Sequence, residues 1–187
     1  DYGIFLFVKD LDSNKVWSNT YAPINKKPDK YEVVFASDRI KYYRTDGDVQ
    51  TKTEIIVTKN HHAEIRKITF KNESDKVKRL QLTTYTEPIL AENMADVSHR
   101  AFSNMFIHSS FEKKSNSLVV RRKSRGESNI SSYMVNRLVI ADPKEEFTYE
   151  TERSNFVGRN RVINNPKAIN EKLTNYANNK NKINKTN

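Results

Sequence analysis

The stretch Val49–Val57 alternates without a break. Val49, Thr51, Thr53, Ile55 and Val57 fall on one side of an extended chain, and Gln50, Lys52 and Glu54 on the other. Side chains switch faces at every residue of a strand, so this pattern describes a half-buried β-strand. Just upstream, residues 39–44 place Ile40 and Tyr42 on one face. Thr45-Asp46-Gly47-Asp48 joins the two runs, and Asp-Gly supplies the positive φ angles that a tight hairpin requires. A chain committed to such a ribbon must bury its apolar face against another sheet.

The same signal recurs. Residues 63–71 and 77–87 are strand-like and flank the polar turn Asn72-Glu73-Ser74-Asp75-Lys76, with Leu80 and Leu82 alternating with Arg79, Gln81 and Thr83. Later runs are 105–111, 118–122, 133–140 and 146–150. Strands separated by short polar turns, with no long helical periodicity between them, predict an all-β fold, an antiparallel sandwich. Residues 89–104 interrupt the pattern and read as a long crossover or a short helix. Residues 170–187 hold seven Asn and four Lys and offer no face to bury, which predicts a disordered or frayed end. The expected organisation is a sandwich domain over residues 1–158 and a basic, Asn/Lys-rich linker and tail over 159–187, partly disordered.

Charge sharpens that division. The 187 residues carry a formal charge of +10, of which residues 159–187 contribute +6. The body is nearly balanced, so the basic excess does not point to a specific nucleic-acid surface. Arg121-Arg122-Lys123-Ser124-Arg125 is a basic cluster without interleaved aromatics and reads as a solvated loop rather than a nucleic-acid site. The absence of cysteine removes thiolate catalysis, disulfides and Cys-ligated zinc. Four glycines, Gly3, Gly47, Gly126 and Gly158, cannot compose either common phosphate-binding loop. The longest apolar run, Ile4-Phe5-Leu6-Phe7-Val8, is far below the roughly 20 residues of a membrane helix. It starts almost at residue 1, so a piece of a larger protein, incomplete at both ends, is expected. With no signal sequence in view, a cytoplasmic setting is expected.

Individual residues offer few chemical leads. His61 and His62 are adjacent in a turn and point apart; His99 and His108 stand alone, so solvated or hydrogen-bonded histidines are expected, not a metal site or cofactor. Glu87, before Pro88 at a strand end, is the most specifically placed acid, and a turn-capping role is its simplest reading. Trp17, the single Trp, either stacks on a sugar or an interface partner or plugs the sandwich edge. Sequons at Asn72, Asn129 and Asn184 read as chance in an Asn-rich chain.

Several segments, taken in order, resemble one family. They are Asp1-Tyr2-Gly3-Ile4-Phe5-Leu6-Phe7-Val8-Lys9-Asp10, Val16-Trp17-Ser18, Pro28-Asp29-Lys30-Tyr31-Glu32-Val33, Thr84-Tyr85-Thr86-Glu87, Ser98-His99-Arg100-Ala101-Phe102-Ser103 and Phe156-Val157-Gly158-Arg159-Asn160-Arg161 followed by Pro166. Over about residues 1–170 the chain resembles the β-sandwich region of glycoside hydrolase family 94, the inverting phosphorylases. The likeness is strongest to the phosphorylase module of cyclic β-1,2-glucan synthases and to 1,2-β-oligoglucan phosphorylases.

The resemblance implies a galactose-mutarotase-like supersandwich that precedes a linker and an (α/α)6 barrel. The barrel holds the catalytic Asp; phosphate attacks the anomeric carbon where water acts in an inverting hydrolase. No barrel motif is present here, so no catalytic residue is carried over and no enzymatic activity is expected. The implied role is structural, dimerising or carbohydrate-binding. Trp17, Arg159 and Arg161 are the candidate contacts to sugar or to the barrel, since Trp stacks on rings and Arg forks suit hydroxyls and phosphate. Expected partners are a β-glucan or other glucose-containing oligosaccharide, the parent's barrel, and a second copy through unpaired strand edges. A stand-alone carbohydrate-binding module is the alternative, and a basic nucleic-acid binder a third reading.

Overall fold

The computed structural model describes residues 3–123, 131–140, 147–171 and 175–176. Among the described residues, twelve strands form four antiparallel sheets, with four helices of six residues or fewer. The all-β expectation holds. The chain divides into two compact units, residues 1–86 with 162–165, and residues 87–161 with 166–187.

The first unit is a two-sheet sandwich. One sheet has the order β2-β1-β7, from β1 (Ile4–Asp10), β2 (Val16–Ser18) and β7 (Leu80–Thr86). The other has the order β3-β4-β5-β6, from β3 (Lys30–Phe35), β4 (Ile40–Asp46), β5 (Val49–Val57) and β6 (Glu64–Asn72). The alternation read in Val49–Val57 holds in its first half, where Val49, Thr51 and Thr53 are buried and Gln50 is exposed, and fails in its second: Glu54, paired with Lys52 and Arg39, is buried, and Val57 at the strand end is 70% exposed. Gly47 at the hairpin tip has a φ of 58°, the left-handed value that only glycine adopts without strain.

Leu6, Val8 and Trp17 from the first sheet meet Val49 from the second, with Leu80, Leu82, Ile68 and Phe70 packed around them. Burying each such aliphatic side chain is worth about 1.5–3 kcal/mol. Arg44 enters this interior as well, with 1% of its surface exposed. It is tolerated because each nitrogen of its guanidinium finds an acceptor: both oxygens of Asp46, the Thr20 carbonyl at 2.7 Å and the Lys26 carbonyl at 3.0 Å.

The second unit contains the sheet β10-β9-β8, from β8 (Ile107–Glu112), β9 (Ser117–Arg122) and β10 (Ser132–Arg137), and the short pair β11 (Thr148–Tyr149) and β12 (Asn175–Tyr176). Phe111 and Tyr149 stack with ring centroids 4.4 Å apart. The interruption at 89–104 resolves into α1 (Asn93–Ser98) and α2 (Arg100–Asn104). Two further helices, α3 (Arg153–Val157) and α4 (Lys167–Asn170), bury Phe156, Val157, Ala168 and Ile169. Gly158 ends α3 at a φ of 91°; a Cβ there would sit 3.0 Å from that of Lys167. Most of the Asn-rich stretch 170–187 lies outside the described residues, as do Asn129, Asn184 and Ser124-Arg125 of the basic cluster. No helix among the described residues is long and apolar enough to cross a membrane.

Candidate functional site

The first unit carries a cleft of about 320 Å³ where the β4–β5 hairpin turns. Trp17 and Val49 supply its apolar part. Asp10, Asp29, Asp46 and Asp48, together with Lys15, Lys26, Lys27 and Lys78, supply most of the remaining wall.

Each carboxylate already has a structural task. Asp10 accepts from the backbone N–H groups of Asp12 at 2.8 Å and Ser13 at 3.2 Å, which fixes the turn between β1 and β2. Asp29 accepts from the Gly47 N–H at 2.6 Å and so ties the segment before β3 to the hairpin tip. Asp46 holds Arg44. Lys78 lies 3.8 Å from Asp10 and 3.4 Å from Asp48. The lysines are less committed. Lys26 sits over the Trp17 ring, 5.6 Å from its centroid. Among the described residues Lys15 and Lys27 form no ion pair.

Burial pushes the Asp10 carboxyl up, but the Asp12 and Ser13 hydrogen bonds and the Lys78 charge outweigh it and hold the group below its ordinary range. The same direction holds elsewhere in the unit: Arg79 lowers Asp12, Arg39 lowers Asp38 and Lys52 lowers Glu54. These groups stay ionised, whereas a general acid needs a carboxyl pushed up toward the working pH. The cleft therefore sets ammonium donors beside carboxylate acceptors, a lining suited to hydroxyl groups.

The residues singled out in the sequence are divided between the two units. Trp17 is 2% exposed and pairs with Val8 across the β1–β2 ladder. Of its two readings, the structure places it as a core plug that contributes to the cleft wall and does not stand as an open platform. Arg159 and Arg161 are exposed on the loop after Gly158, in the second unit. Trp17 belongs to the first unit and the two arginines to the second. Glu87 is neither a lone cap nor a free acid: it accepts from Arg100 at 3.0 Å and from Arg153 at 2.8 Å. Arg122 of the basic cluster is also engaged, donating to the carbonyls of Ile89 and Ser103. All four histidines are exposed, and no three His, Asp or Glu among the described residues converge as metal ligands.

Sequence reasoning missed the cleft lysines Lys15, Lys26 and Lys27, and the buried Arg44. The cleft is assembled from four separate stretches of the sequence, around residues 10–17, 26–29, 46–49 and 78. Only Arg44 carried a local signal, since it falls on the same face of β4 as Ile40 and Tyr42.

The family model of the glycosyl hydrolase 94 supersandwich domain matches residues 1–183. The cyclic beta-(1,2)-glucan synthase NdvB of Rhizobium meliloti (strain 1021) is 29% identical over 162 residues, 86% of this chain. That match spans only 6% of the length of the synthase.

Proposed function

This chain belongs to the glycosyl hydrolase 94 supersandwich domain family, and from that membership we propose that it is the non-catalytic sandwich module of a β-1,2-glucan-active phosphorylase or synthase. Its task is to present a rigid, polar surface beside a catalytic barrel supplied elsewhere in the parent protein. The observation that carries this reading is the match of the supersandwich family model over residues 1–183, and the state of several acids agrees with it. Asp10, Asp12, Asp38 and Glu54 are held ionised by cations and backbone donors, and Glu87 is held between two arginines. A group in any of these settings is a poor proton donor to a glycosidic oxygen.

Sugar contact is a secondary role in this proposal. Lys15 and Lys27 in the cleft, and separately the exposed Arg159 and Arg161, are side chains free to donate to hydroxyls. Trp17 supports the cleft from the core. A stand-alone carbohydrate-binding module is the weaker reading, because such modules rely on exposed aromatic platforms and Trp17 is buried.

The test mixes the chain with β-1,2-gluco-oligosaccharide and inorganic phosphate. No glucose 1-phosphate should form; its appearance would end the non-catalytic reading. Amide NMR titration with the same oligosaccharide should move signals of residues 26–27 and 47 or of residues 159–161. If no signal moves, the sugar-contact role is removed and a purely structural one remains.

A further inference from the structure

The four-stranded sheet ends in two edges of different chemistry. On β6 the edge strand reads Glu-Ile-Arg-Lys-Ile-Thr-Phe-Lys-Asn, with charges at Glu64, Arg66, Lys67 and Lys71. Charged edges of this kind resist pairing with another chain. On β3 the second half is Val33-Val34-Phe35, without a charge, and Phe35 is 76% exposed. Tyr31, on the same strand and face, is 40% exposed and lies 6.4 Å from Tyr42 between ring centroids.

The register of β3 tells which backbone groups are unspent. Ala36 donates to the Arg39 carbonyl at 3.0 Å, closing the β3–β4 hairpin. Hydrogen-bonded and non-hydrogen-bonded pairs alternate along an antiparallel ladder. With Phe35 opposite Ile40, Val33 opposite Tyr42 and Tyr31 opposite Arg44, it is Tyr31, Val33 and Phe35 whose N–H and C=O groups point away from β4. Among the described residues no backbone hydrogen bond reaches them from another segment.

We propose that β3 is a self-pairing edge: two copies of this chain join antiparallel through β3, with Val33 opposite Val33 of the second copy. This register uses all three outward residues of both strands. Shifting its centre to Tyr31 or Phe35 leaves outward groups of each strand unmatched, and centring on Glu32 sets like charges opposite one another. It also places Tyr31 of each copy opposite Phe35 of the other on the face that carries Tyr42, an aromatic cross-strand pair on each side of the two-fold axis. Phe35 is covered, and the two four-stranded sheets become one of eight. An isologous pairing of this kind closes on itself, whereas β3 against β6 would propagate into open polymers.

The natural absence of cysteine makes the test direct. Light scattering after size exclusion should give twice the 21.8 kDa chain mass. Val33→Pro removes an N–H that β4 does not use, a position where an edge strand accepts proline, so it should yield a folded monomer by circular dichroism. Val33→Cys should oxidise to a covalent dimer, because hydrogen-bonded antiparallel pairs stand about 5.5 Å apart at Cα, inside disulfide range. Ile65→Cys on β6 and Val135→Cys on β10 should remain uncrosslinked. A monomeric wild type, a folded Val33→Pro that still dimerises, crosslinking of the Ile65→Cys or Val135→Cys chain in place of Val33→Cys, or growth into polymers would each overturn the proposal.

Discussion

Arg44 grips Asp46 with two parallel hydrogen bonds, Nε to Oδ2 at 2.6 Å and Nη2 to Oδ1 at 3.0 Å, in a part of the sandwich where neither side chain is more than 6% exposed. The same guanidinium holds the carbonyls of Thr20 and Lys26, so a single side chain positions the loop that brings Lys26 to the cleft. Arg44→Met should strand a buried carboxylate and cost about 3–5 kcal/mol. Replacing both partners, Arg44→Met with Asp46→Leu, should recover a large part of that loss in urea denaturation. A single variant as stable as wild type would show that the pair is not held as described.

Trp17 gives a second prediction, with a built-in reporter because it is the only Trp. Buried beside Val8, Leu6 and Val49, it should emit at short wavelength and be shielded from acrylamide. Trp17→Ala should cost about 3–5 kcal/mol through the cavity it leaves. Strong quenching in the folded chain, with little loss on truncation, would return Trp17 to the surface as a stacking residue.

The part of the fold that was legible in the sequence was the part specified locally. The ribbon from Ile40 to Val57 announced itself because alternation and an Asp-Gly turn need no distant partner. By contrast, β3 was invisible as a strand: Tyr31-Glu32-Val33-Val34-Phe35 has no polar–apolar alternation, since its exposed edge relaxes the pattern. The helices α3 and α4 are shorter than two turns, too short to establish a period, and only the apolar pairs Phe156-Val157 and Ala168-Ile169 mark them. Trp17 could not be assigned because a three-residue strand has no readable face; the pairing with Val8 decides it. The cleft was illegible for a stronger reason, since Asp10, Lys26, Gly47 and Lys78 converge only when both sheets are assembled.

Acid should weaken this sandwich through Asp10. Burial opposes its ionisation, but the N–H groups of Asp12 and Ser13 and the charge of Lys78 prevail, so its folded pKa lies below the unfolded one. A lowered carboxyl stabilises the fold above the ordinary range near pH 4, and that stabilisation disappears as pH falls through the folded value. Asp12, Asp38 and Glu54 act in the same direction. Denaturant midpoints measured from neutral pH downward should fall, and Asp10→Asn, already weaker at neutral pH, should show a shallower decline. Parallel pH curves for variant and wild type would refute the role given to Asp10.

The two oxygens of Glu87 go to different helices: Oε2 accepts from Arg100 in α2 and Oε1 from Arg153 in α3. Arg100 also lies 3.9 Å from Asp96, a fully buried residue of α1. The carboxylate thus joins three helices of six residues or fewer, none of which is stable alone. Glu87→Gln keeps the shape and removes the charge, at a cost on the order of 1 kcal/mol for pairs this exposed. The informative readout is local. Amides of Phe156 and Gly158, which close α3 onto the Glu152 and Ser154 carbonyls, should exchange faster in the variant, while those of β5 keep their wild-type protection. Equal acceleration in β5 would mean a global loss of stability, and no acceleration at all would mean that the helices are held by Phe156 and Ile169 packing without help from the charge pairs.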